Sequence, residues 1–119
     1  MALGGDGIGP IVVLEARGSL SLLAARDLSL EVERLHAAGC QTVVVDCRGV
    51  KRIAYQGLGL LMDQARRLRG AGLHLALASL APRLTDLLHG VRATRVLPIY
   101  HSVEHALENF CEMEPLGRA

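Results

Sequence analysis

The chain reads as an α/β domain, with one mostly parallel or mixed sheet of about four strands and four helices. Three observations predict this. Apolar residues recur at helical spacing in four segments, and in four others they run continuously or alternate. The two kinds of segment take turns along the chain, the pattern of strands joined by helical crossovers. Half of the 119 residues are apolar, yet the only aromatic ones are Tyr55, Tyr100 and Phe110, so the core is aliphatic. That length suits one domain with one sizeable core.

Each element has its own signal. Ile11 to Ala16 reads as a first strand, ending at Arg17-Gly18. From Ala24 to Ala38, Ala25, Leu28, Val32 and Leu35 repeat on one helical face, and Gly39 is a stop signal. Thr42 to Cys47 is a β-branched run of the kind found in a central strand covered on both sides. A loop follows, then a glycine-bearing turn that opens a second helix with Leu58, Leu61, Met62, Ala65 and Leu68 inward. Gly70-Ala71-Gly72 ends it. Leu73, Leu75 and Leu77 share one face of a third strand. Pro82 opens a short helix with Leu84, Leu87 and Leu88 inward, which stops at Gly90. Val96 to Tyr100 is a last strand, at an edge because Pro98 has no N–H to give. Ser102 is the N-cap candidate for the final helix. The expected organisation is a lead over 1–10, one domain over 11–113 and a tail over 114–119.

Composition excludes several classes of function. With net charge +1, no basic stripe and three aromatics, nucleic-acid binding has little to act through. No apolar run reaches the length of a membrane span, and the first residues lack the basic and apolar regions of a signal peptide. Cys40, Cys47 and Cys111 form no disulfide framework, and a cytoplasmic setting is expected. Gly5-x-Gly7-x-Gly9 precedes a strand instead of following one, unlike a dinucleotide loop. His101 and His105 share a helix face without an identifiable third ligand, so no metal is expected. Asp46 has no second carboxylate for acid–base work, and Cys47 shares its strand face with Val43 and Val45; both read as structural. No catalytic constellation and no cofactor are expected.

The most informative segment is Val43 to Leu61. It delivers a short loop to a helix start, where free backbone N–H groups and the helix dipole favour an anion, a phosphorylated hydroxyl or a partner's acidic group. Tyr55 and Gln56 are the residues presented there.

Four segments of the chain resemble the STAS family, the domain of bacterial anti-sigma-factor antagonists and of sulfate-transporter tails. They are Gly18-Ser19-Leu20-Ser21; Val43 to Val50; Ile53-Ala54-Tyr55-Gln56-Gly57-Leu58-Gly59-Leu60-Leu61, which overlays the family's Ile-Asp-Ser-Ser-Gly-Leu-Gly-x-Leu; and Leu97 to Leu107. The resemblance implies a non-enzymatic domain that binds a kinase-type anti-sigma factor until a Ser or Thr before the first motif glycine is phosphorylated. Gln56 stands at that acceptor position, Tyr55 replaces the first Ser and Ala54 replaces the Asp. The implied contact surface comprises Lys51, Arg52, Ala54, Tyr55, Gln56, Gly57, Leu58 and Gly59, with Arg66 on the following helix. A neutral Gln mimics the unphosphorylated state, so the chain is expected to be permanently competent to bind or to have changed partners. Two alternatives stay open: an accessory subunit docking on the ATPase of an ABC-type lipid transporter, and a nucleotide-binding sensor at the Gly57 helix start. Monomer and homodimer both remain open.

Overall fold

The computed structural model describes residues 11–118, with side chains placed for 11–110. The alternation holds in order: β1 (Ile11–Leu20), α1 (Leu22–Ala37), β2 (Thr42–Ile53), α2 (Tyr55–Gly70), β3 (His74–Ala78), α3 (Pro82–Gly90), a 3-10 turn (Ala93–Arg95), β4 (Ile99–Tyr100) and α4 (Val103–Arg118). The strands form one sheet in the order β1-β2-β3-β4, and each neighbouring pair is parallel. The glycine-rich lead lies outside the described residues, and α4 continues past 113 to Arg118.

The sheet is covered on both faces. Val12 and Leu14 of β1, Val43, Val45 and Cys47 of β2, and Leu75 and Leu77 of β3 pack against Ala25, Leu28 and Val32 of α1, the Leu58–Leu61–Ala65–Leu68 stripe of α2, and Leu84 and Leu88 of α3. The opposite face sets Val44, Ala76 and Ala78 against Ala106 and Phe110 of α4. Large and small residues alternate along β3, so its leucines face three helices and its alanines face one. Burying each such leucine contributes about 1.5–3 kcal/mol relative to exposing it.

Two helix starts carry a side-chain cap and two do not, α3 opening instead on Pro82 after an Ala81 N-cap. Ser21 caps α1, its Oγ accepting from the Ala24 N–H at 3.2 Å. Ser102 caps α4 through the His105 N–H at 3.0 Å, as expected from sequence. Ala54 stands at the N-cap of α2 and offers no side-chain bond.

The ends of three strands depart from expectation. β1 runs on through Gly18, at φ +72°, to Leu20, and β2 continues through the expected loop to Ile53. Both extensions pair with each other across two register shifts: Glu15↔Asp46 gives way to Arg17↔Gly49, and Gly18↔Val50 to Ser19↔Arg52. Each shift places an extra residue on β2, the definition of a bulge. Cys47 and Val50 are therefore buried in one core and Ile53 packs against it, at a spacing of three instead of two. β4 is shorter than expected. The 3-10 turn carries the chain to Val96, and Leu97 is buried with its N–H bonded to the Ala93 carbonyl, so pairing begins only at Ile99.

Candidate functional site: the start of helix α2

In a parallel sheet all strand-to-helix turns gather at the carboxyl end of the strands, where open α/β sheets bind their ligands. Here the paired extensions of β1 and β2 carry that end beyond β3, whose last pairing with β2 is Asp46↔Ala78. The Ala54 N–H donates to the Leu20 carbonyl at 3.0 Å, tying the start of α2 to the end of β1. Gly57 then lies directly on that strand end. A Cβ at Gly57 would sit 2.8 Å from the Ser21 carbonyl oxygen and 2.9 Å from that of Leu20. The motif glycine is thus required by a backbone-to-backbone approach. Gly59 has open space around its Cα and carries no such demand.

The expected contact residues divide into two groups. Tyr55 is 64% exposed, and Lys51, Arg52 and Gln56 are also exposed. Ala54 and Gly59 are half-buried at the rim. Gly57 and Leu58 are buried, which corrects their expected part in contact: Leu58 belongs to the core, and both hold the helix start in place. Arg66 is exposed but paired with Asp63 at 3.1 Å. It stands eleven residues beyond Tyr55, about 16 Å along the helix, so the structure does not bring it to the helix start. Arg67 pairs with Glu33 of α1, and Arg69 donates to the Val96 carbonyl at 3.2 Å. These two arginines fasten α2 to its neighbours.

Sequence reasoning missed three exposed residues on elements that meet this helix start. Leu22 and Leu23 open α1 beside the Ser21 carbonyl that touches Gly57, and they are 45% and 68% exposed. Their signal was present: both fall off the Ala25–Leu28–Val32–Leu35 stripe. Arg83 of α3 donates to the Lys51 carbonyl at 3.1 Å and stands with Lys51 only through the fold.

Asp46 and Cys47 have the structural roles expected of them. Asp46 accepts from the Arg48 N–H at 3.1 Å and from the Arg48 guanidinium at 3.0 Å, fixing the first bulge. Cys47 is 2% exposed, and burial pushes its thiol up to about 12. Between α1 and α2, buried Gln64 donates through Nε2 to the Ser29 carbonyl at 2.8 Å. A separate groove of about 600 Å³ runs past Glu15, Arg17, Leu20 and Asp27 between β1 and α1, and includes none of the exposed residues at the start of α2. Among the described residues, no three His, Cys, Asp or Glu side chains are placed to hold a metal, and no helix is long and apolar enough to cross a membrane.

Because Ala54 leaves the first turn of α2 uncapped, Ala54→Asp is expected to raise stability by about 1 kcal/mol. Urea denaturation measures this, as a higher midpoint at unchanged slope.

These features define a parallel α/β domain whose distinctive surface is an uncapped helix start held against its neighbouring strand. The chain belongs to the STAS family: residues 9–98 match the family model described as MlaB, STAS domain. Among solved structures the fold is similar to that of a Thermotoga maritima protein given as a candidate anti-sigma factor antagonist, with TM-score 0.75 and 19% identity over 86% of this chain and 88% of that one. It is also similar to a sulfate transporter family protein from Wolinella succinogenes, with TM-score 0.72 and 18% identity over 84% of each chain. An anti-sigma factor antagonist from Mycobacterium paratuberculosis gives TM-score 0.72 and 18% identity over 91% and 93%. No curated protein sequence matches the chain significantly.

Proposed function

We propose that this chain is a non-enzymatic regulatory domain of the anti-sigma-factor-antagonist type, acting in the cytoplasm through a docking surface at the start of α2. One observation carries the reading. Tyr55 and Gln56 stand exposed at an uncapped helix start that has no acidic residue in its first turn. Leu22 and Leu23 are also exposed, at the start of the helix whose N-cap carbonyl abuts Gly57. Aromatic and apolar residues displayed on a rigid element suit protein contact better than chemistry.

The partner is an ATPase-fold signalling protein of the anti-sigma kinase kind. Its usual means of release is missing, because the amide of Gln56 has no hydroxyl to accept a phosphoryl group. Gln56 keeps the surface neutral at that position, and the domain stays competent to bind. Incubation with the host's kinase-type anti-sigma factors and ATP tests this. The wild-type chain should take up no phosphate, whereas Gln56→Ser should become a substrate. Phosphate on the wild-type chain would overturn the reading.

A second reading is favoured by the description of the matching family model as MlaB: the chain docks instead on the ATPase of an ABC-type lipid transporter. Co-purification with an ATP-binding cassette subunit selects this reading, and the same surface serves in both.

A further inference from the structure

We infer that the docking surface takes an acidic partner: a protein segment carrying Asp or Glu beside an apolar residue, held by Lys51, Arg52 and Arg83. The inference rests on the docking reading and adds the chemistry of the partner to it.

The five ion pairs among the described residues use Arg17, Arg34, Arg48, Arg66 and Arg67. Lys51, Arg52 and Arg83 appear in none of them, and all three are exposed. The fold gathers them. The second bulge makes Lys51 the extra residue between Val50 and Arg52, and Val50 turns inward while both cations stay in solvent. Arg83 then lays its guanidinium on the Lys51 carbonyl. No carboxylate lies in the first turn of α2 or of α3, and Asp86, three residues beyond Arg83, is exposed and in none of these five ion pairs.

The accumulation is local. The whole chain has 13 Lys and Arg against 12 Asp and Glu, so what distinguishes these three cations is that adjacency on β2 and the Arg83–Lys51 bond bring them together. Like charges gathered on one face attract an acidic partner and steer the encounter. The neighbouring residues point to protein as the partner. Tyr55 is exposed four residues after Lys51, and exposed Leu22 and Leu23 open the helix whose N-cap carbonyl abuts Gly57, so apolar side chains and cations are displayed from neighbouring elements, as in a protein interface. A single exposed aromatic makes no stacking platform for a nucleic-acid strand. Gln56 follows Tyr55 directly, where a negative charge would repel the incoming acids and neutralise the cations that attract them.

The test places a photoreactive benzoylphenylalanine at Tyr55 in the full chain, irradiates cells of the native host and maps the crosslinked peptide. The expected product is one protein, crosslinked in a segment rich in Asp and Glu. Its yield should fall about tenfold or more in Lys51→Glu/Arg52→Glu and stay unchanged in Arg95→Glu, an exposed cation outside the surface. Circular dichroism would establish that each variant is folded. Changing the mapped acids of the partner to Lys should restore capture by the double variant and abolish it for the parent chain. Equal yields from parent and double variant would overturn the acidic partner while leaving docking intact. No protein crosslink from Tyr55 would overturn docking itself. Binding to vesicles rich in phosphatidylglycerol that depends on Lys51 and Arg52, with no protein captured, would assign the cations to a lipid surface and overturn the inference.

Discussion

Gly57→Ala should lower the stability of the domain by roughly 1–2 kcal/mol, seen as a fall in melting temperature of about 5–10 °C. Alanine is ordinarily the better helix former by about 0.5–1 kcal/mol. Here that gain is outweighed, because the new methyl meets the Ser21 and Leu20 carbonyl oxygens at 2.8 and 2.9 Å. Both are backbone atoms at a strand end and cannot rotate away as a side chain would. Relief requires α2 to lift from β1, which stretches the 3.0 Å bond from the Ala54 N–H to the Leu20 carbonyl. Partner binding should therefore weaken although no contacting side chain is removed. Gly59→Ala is the matched control: with open space at that Cβ, it should leave stability unchanged or raise it by up to about 1 kcal/mol. Equal melting temperatures for the two variants would contradict the close approach at Gly57.

The second large effect is alkaline. Burial lifts the Cys47 thiol from 9.0 to about 12 in the folded chain, helped by the charge of neighbouring Asp46. Between those two values the folded state holds a proton that the unfolded state has released. Stability is thus unaffected below about pH 9 and falls as pH rises toward 12, at about 1.4 kcal/mol per pH unit. At pH 10.5 this amounts to about 2 kcal/mol. Cys47→Ala should remove this part of the alkaline slope, although it costs some packing at neutral pH. Urea midpoints for both proteins between pH 8 and pH 10.5 measure the difference. The native thiol should also resist iodoacetamide at pH 8 and react once the chain is unfolded. Parallel pH profiles for the two proteins, or rapid alkylation of Cys47 in the folded chain, would contradict the burial argument.

Most of the fold was legible because local signals and global packing agree. The β-branched run at Thr42 to Cys47, the large–small alternation of β3 and the Pro82 and Ser102 starts each encode their element directly. The extension of β2 was not legible, because two bulges space its inward residues by three, and a period of three matches neither strand nor helix. β4 shortened for a different reason: Leu97 is buried in the core before the backbone reaches the pairing edge.

The site was half legible. Its contiguous part, Lys51 to Gly59, could be read from the motif, and the structure keeps Lys51, Arg52, Tyr55 and Gln56 in solvent. Arg83 joins Lys51 only through the packing of α3, and no sequence pattern marks that meeting. Arg66 looked like part of the surface because it lies on the right helix. It is exposed and paired with Asp63, about three turns along that helix from Tyr55.

The central claim is that the start of α2 binds a partner in a form fixed by the neutral amide of Gln56. The most direct measurement is a light-crosslinking pull-down from the native host, with the wild-type chain and Gln56→Glu as parallel baits. Recovery of an ATPase-fold partner by the wild-type chain, reduced about tenfold or more in the Glu variant, is the predicted result. Equal recovery by both baits would contradict the claim and move the binding face away from the start of α2.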